Sequence, residues 1–261
     1  MATVVPPDQR PVRRAAPRTS RRRSLTEWLT ALLALAMLVP AAACTSTGTA
    51  GGDGGREAGV ARAAAPEEIV AGELPETLTV ERPTTVAVVG DSITVAAAEH
   101  LDAELSALGL DVLEIDAQIG RRMTVGERDR LQTGADIVEF LSARSAPELW
   151  VVALGTNDIG QYADEGAVAE QVGALLDRLP ADVPVVWVDT WIRGRDEQTD
   201  VVNRAIRDVV ERRDDAVVVE WSAHAPADGV IAADGVHLTD GLGRQRFAEV
   251  VAAGVAALID P

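Results

Sequence analysis

At 261 residues, 47% of them apolar, the chain is long enough to bury a substantial core, and one large domain is the simplest reading. Its 24 basic residues are all arginine and its formal charge is −17; seven arginines and two acids precede Cys44, which leaves 17 basic and 39 acidic residues, a formal −22, for everything after it. Such a surface repels nucleic acid and other anionic polymers, and the single cysteine rules out an intramolecular disulfide and a multi-cysteine metal cage.

The first elements in chain order belong to targeting. Arginines from Arg10 to Arg23 are followed by an apolar stretch, Trp28 to Val39, then Pro40 and Ala41-Ala42-Ala43-Cys44. Charged, apolar and small-residue regions in that order make an export signal, and the apolar run is shorter than the roughly 20 residues of a comfortable bilayer span. The Ala-Ala-Ala-Cys end resembles a bacterial lipobox, in which the cysteine becomes the lipidated first residue, although Ala41 stands where leucine is usual. Residues 1–44 are therefore read as an export signal ending at a lipidated Cys44, with an uncleaved anchor or plain secretion as alternatives. Ser20-Arg21-Arg22-Arg23-Ser24-Leu25 fits either a twin-arginine motif or an extended basic region. The expected location is the outer face of the cytoplasmic membrane or the envelope, held there by lipid or by the N-terminus.

Residues 45–83, rich in Gly, Ala, Thr, Pro and Glu without an apolar period, read as a flexible tether. From residue 84 to 261, short β-branched runs alternate with helical periodicity, the pattern of a parallel sheet with crossover helices. Strands are predicted at 85–89, 111–115, 149–154, 183–188 and 216–220, and helices at 95–108, 127–145, 163–179, 196–213 and 242–259. The predicted architecture is α/β, a three-layer α/β/α sandwich on a five-stranded parallel sheet, with ligands at the carboxyl ends of the strands.

Three edge segments carry chemistry. Gly90-Asp91-Ser92 ends the first strand and opens a helix, placing a serine on a tight turn beside a helix amino end; by itself it reads first as a turn and a helix cap. Asp234-Gly235-Val236-His237 precedes the last helix, a spacing that lets the carboxylate orient the imidazole, so that the histidine can take a serine proton. Gly155-Thr156-Asn157-Asp158 follows the third strand.

Together with Gly120 after the second strand, these segments resemble, in order and placement, the four blocks of the SGNH (GDSL-like) hydrolase family, with Ile93 where the GDSL name has leucine. The resemblance implies the flavodoxin-like SGNH fold and a catalytic triad of Ser92, Asp234 and His237. It implies an oxyanion hole from the N–H groups of Ser92 and Gly120 and the side-chain amide of Asn157. No cofactor and no metal are implied.

The stretches around Gly120, Trp221 and His237 look like SGNH domains attached to acyltransferases of cell-surface glycans. The expected activity is serine-dependent hydrolysis of O-acyl, foremost acetyl, esters on an envelope or extracellular glycan. An O-acyltransferase with the same triad is the first alternative, and a non-catalytic glycan-binding module is the second. Arg121 and Arg122 either reach a substrate oxygen or are solvated loop charges. Trp191 and Trp221 either stack on a sugar or pack in the core, and His100 and His224 read as surface or capping residues.

Overall fold

The computed structural model describes residues 69–72, 74, 78–126 and 132–260. The export segment, Cys44 and the tether as far as residue 68 lie outside the described residues, as do 127–131.

Six strands form one sheet in the order β1-β6-β5-β4-β2-β3: β1 (Val70–Ala71), β2 (Thr85–Gly90), β3 (Asp111–Ala117), β4 (Trp150–Ala153), β5 (Val185–Val188) and β6 (Ala216–Val219). The last five are mutually parallel and in the flavodoxin-like order, as predicted. β1 is the strand not expected. It runs antiparallel to β6, pairing Val70 with Val219, and the buried Ile69 and Val70 close that side of the sheet. The tether assigned up to residue 83 therefore ends too late: Thr79 donates from its backbone to Asp215 (3.1 Å), and Arg82 bridges to Asp260 (2.9 Å). Two paired residues are too few to show the period-2 alternation that marks a strand in a sequence.

Side chains alternate along each parallel strand between two cores, because successive Cβ atoms point to opposite faces. Val86, Val88, Val151, Val186 and Val217 pack beneath α1 (Ser92–Ala107) and α6 (Leu242–Ile259). Ala87, Val89, Trp150, Trp187 and Val218 pack on the other face beneath α2 (Gly134–Ser145), α3 (Glu165–Leu176) and α4 (Asp196–Val210). The three layers are those predicted. A short α5 (Trp221–His224) follows β6, and Trp221 is 3% exposed with Phe247 edge-on at 5.0 Å, so its role is core packing.

Where the chain leaves β2 for β3 on one side and returns to β4 on the other, the carboxyl ends of β2 and β4 open a crevice. Ser92 follows the first of these strands, and Asn157, in a 3-10 turn at Thr156–Asp158, follows the second. Gly90 is required at the end of β2, because a Cβ there would lie 2.0 Å from Thr94 Oγ1.

Candidate active site

Ser92 is the first residue of α1, where backbone N–H groups have no partner within the helix. Asp91 caps the helix, its Oδ1 accepting from the Ile93 N–H at 2.9 Å. Asp91 is buried, and burial raises its carboxyl to about 6, against the opposing pull of the Ile93 hydrogen bond.

Asp234 and His237 sit in the loop before α6. Asp234 Oδ1 accepts from the N–H groups of Val236 (2.9 Å) and His237 (3.0 Å), and Gly235 between them takes φ 78°, so the loop turns tightly around the carboxylate. The other oxygen, Oδ2, is 2.8 Å from His237 Nδ1. The Val236 N–H and then the His237 ring hold the Asp234 carboxyl down at about 2, so it is ionised near neutrality and can only accept. The proton of a neutral His237 consequently lies on Nδ1, which leaves Nε2 to accept. Nε2 is 3.1 Å from Ser92 Oγ. Ser92, Asp234 and His237, expected as partners, are joined by the fold in one hydrogen-bonded series. Their surroundings are open, with the His237 and Asp234 side chains 48% and 52% exposed.

Asn157 Nδ2 donates to the Arg121 carbonyl (3.1 Å) and to Asp91 Oδ2 (3.3 Å). Both amide protons are thus engaged, the one toward Asp91 over the longer distance. Gly120, at φ 79°, lines a cavity of about 370 Å³ together with Asn157, and its N–H makes no backbone hydrogen bond among the described residues.

Two residues, Arg121 after Gly120 and Asp158 at the end of the Asn157 block, have roles that the sequence does not show. Arg121 is 2% exposed, not a solvated loop charge: its guanidinium donates to the carbonyls of Gly90 (3.1 Å), Asp116 (2.5 Å) and Gln132 (3.3 Å) and pairs with the Asp116 carboxylate. It fastens the Gly120 loop to the ends of β2 and β3. Asp158, fully buried, accepts from the Met123 N–H (3.1 Å), Arg122 Nε (3.1 Å) and the Tyr162 hydroxyl (2.9 Å), which ties that loop to the Asn157 turn. Burial raises its carboxyl above the usual range. The pair Arg121-Arg122 directly after Gly120 was the available signal. Of the other candidates, His100 lies along α1, and His224 faces Arg246 at 3.2 Å. Trp191 is half-buried against the core on the α1 face.

The GDSL-like lipase/acylhydrolase family matches residues 88–241, a span that contains every block of this site. The chain belongs to that family. Membership in this acylhydrolase family carries its class of chemistry, serine-dependent ester hydrolysis. The fold is shared with solved structures of low identity. TesA is 18% identical (66% of this chain, 97% of that one, TM-score 0.53). Est24, a carbohydrate acetylesterase from Sinorhizobium meliloti, is 16% identical (67% and 99%, TM-score 0.52). The native aryl esterase of M. smegmatis is also 16% identical (67% and 99%, TM-score 0.52). Among proteins of curated function, none matches the chain in sequence.

Proposed function

We propose that this acylhydrolase removes O-acyl groups, acetyl foremost, from a glycan of the cell envelope or the exterior, with Ser92 as nucleophile, His237 as base and Asp234 as its orienting carboxylate. The observation that carries the reading is the series Asp234 Oδ2, His237 Nδ1, His237 Nε2, Ser92 Oγ, spaced at 2.8 and 3.1 Å. Ser92 Oγ attacks the ester carbonyl while its proton passes to His237 Nε2, and the ionised Asp234 balances the imidazolium. The tetrahedral oxyanion is met by the N–H groups of Ser92 and Gly120 and by Asn157 Nδ2, once that amide shares the proton it gives Asp91. Collapse expels the alcohol, which takes the proton from His237 and leaves the acyl group on Ser92. Water, deprotonated by His237, then releases the acid and restores the serine.

A glycan fits the mixed lining of the cavity beside Asn157, where Arg122, Gln132 and Gln161 offer hydrogen bonds and Val125 an apolar contact. Est24, of similar fold, acts on carbohydrate acetyl esters. A lipid on Cys44 and the segment that follows it would hold the enzyme at the envelope.

The half-exposed triad also admits a second acceptor, a sugar hydroxyl in place of water, which would make the same site an O-acyltransferase. The deciding experiment gives the full chain 4-nitrophenyl acetate and an O-acetylated polysaccharide, with and without free sugar, and measures acetate and acetylated sugar. Acetate release from both esters supports the hydrolase. Acetyl appearing on the sugar without free acetate supports the transferase, and no turnover with no acyl group on Ser92 overturns both.

A further inference from the structure

Of the two adjacent arginines after Gly120, one is spent and the other is not. Arg121 has its nitrogens committed to three carbonyls and the Asp116 carboxylate. Arg122 gives Nε to Asp158 Oδ1 at 3.1 Å, and its guanidinium lies over the Tyr162 ring at 5.1 Å from the centroid, within reach of the Tyr162 hydroxyl. These contacts fix the plane of the group, and beyond the Tyr162 side chain its terminal nitrogens have no further hydrogen-bond partner among the described residues. Arg122 lines the cavity of about 370 Å³ that also holds Gly120 and Asn157, with the amides of Gln132 and Gln161 in the same wall. A planar fork held by one edge and offering the other is the geometry that receives a carboxylate.

Resting on the esterase reading above, we propose that Arg122 is a specificity residue that binds a carboxylate on the alcohol part of the substrate, so that the preferred ester is that of an acidic sugar. Because Gly120 and Asn157 line the same cavity, a sugar whose acyl carbonyl meets them brings its neighbouring ring substituents to Arg122. Acetyl itself is too small to use that space. A second arginine packs on the triad loop: Arg193 donates from its backbone to the Gly235 carbonyl (2.9 Å), and its side chain lies against Gly235, between Asp234 and His237 in sequence.

The formal charge of −17 disfavours a densely anionic polymer at long range. At physiological salt, however, exposed charges farther away than about 8 Å are largely screened, and contact with a desolvated guanidinium decides. The fitting substrate therefore carries isolated carboxylates along a largely neutral glycan.

The test compares two esters that differ in one group: an O-acetylated methyl glucuronide with its carboxylate free, and the same compound as its methyl ester. The wild-type full chain is expected to hydrolyse the free acid with kcat/KM at least about tenfold higher, the discrimination of a charge-assisted hydrogen bond. Arg122→Gln should bring the ratio near one, and Arg122→Lys, which keeps the charge and loses the fork, should fall between. In parallel, Ser92→Ala is titrated calorimetrically with methyl glucuronide and methyl glucoside. Tighter uronide binding that Arg122→Gln then abolishes supports the site without any turnover. Equal kcat/KM for the two esters in the wild type, equal binding of the two glycosides, or a ratio that survives Arg122→Gln overturns the proposal. If neither ester is turned over yet uronide binding depends on Arg122, the esterase reading falls and the carboxylate site stands.

Discussion

The Asn157 amide donates to Asp91 Oδ2, so the residue that caps the helix of Ser92 also anchors the amide proposed to meet the oxyanion. Nucleophile and donor follow different strands, and Asp91 and Asn157 are 66 positions apart, yet that one buried carboxylate sets the position of both.

Asp91→Ala should therefore act twice. Loss of the cap costs about 1 kcal/mol of stability, and a loosened Asn157 should lower kcat by about tenfold with little change in KM, since the lost contact matters most in the transition state. Thermal unfolding together with steady-state kinetics on a small acetyl ester separates the two effects. A lower Tm with unchanged kcat would reduce the link to a structural one.

Substitutions at the site itself should differ in kind. Ser92→Ala removes the attacking atom and should leave a trace at most, and His237→Ala should be comparably severe because the triad acts as a unit. Asn157→Ala should retain chemistry at about 10²- to 10³-fold lower kcat, the usual cost of one oxyanion donor. A fluorophosphonate probe located by peptide mass should label Ser92 readily in the wild type, slowly in Asn157→Ala and not at all in Ser92→Ala. Labelling of another serine would refute the assignment.

Stability should fall as pH rises through the weakly acidic range. Burial raises the carboxyl of Asp189 to about 7, and that of Asp91 to about 6, whereas unfolded carboxyls titrate near about 3.9. Between those values the folded chain holds protons that the unfolded chain has lost, so the contribution is complete below about pH 4 and fades as pH climbs through the folded values. Asp234, held at about 2, has the opposite sign: its contribution is present above about pH 4 and lost only as pH falls toward 2. Asp189→Asn can keep a partner in Ser222, whose hydroxyl donates to Asp189 at 2.6 Å and can rotate to accept from an amide. Its denaturant midpoint should drop less than that of the wild type between about pH 4.5 and 8. Identical slopes would mean that Asp189 is ionised throughout.

The anchoring proposal has its own readout. Metabolic labelling with a fatty-acid analogue should mark the full chain, and Cys44→Ala should remove the label. An unlabelled wild type would withdraw the lipid anchor and leave the esterase chemistry untouched, because none of the site residues lies near that segment of the sequence.

The parallel sheet was legible because its strands are β-branched runs such as Val86 to Val89, apolar on both faces, as a sheet covered by helices on both sides demands. The triad was legible because Asp and His three apart on a turn, with a serine at a strand end, form a pattern local enough to be seen in the chain. Other features depend on partners far away. Arg121 and Arg122 look alike as letters, and only the Gly90 carbonyl, 31 residues back, and Asp158, 36 residues on, divide them into a buried clamp and a cavity-facing fork. The α2 start expected at residue 127 shows the same limit: the described helix begins at Gly134, where Thr133 and Asp136 cap each other reciprocally. Helical periodicity does not register such a cap, whereas the paired letters Thr and Asp do.

The short β1 has a practical consequence for anyone preparing the enzyme. Its pairing with Val218 and Val219 covers the hydrogen-bonding rim of an all-apolar strand, Ala216 to Val219, while the opposite rim, β3, carries Asp111, Glu114 and Asp116 as its own deterrent to foreign strands. A fragment cut at residue 83 would strip the first rim bare, and uncovered apolar rims recruit copies of themselves. An expressed form should start upstream of Ile69 to stay soluble.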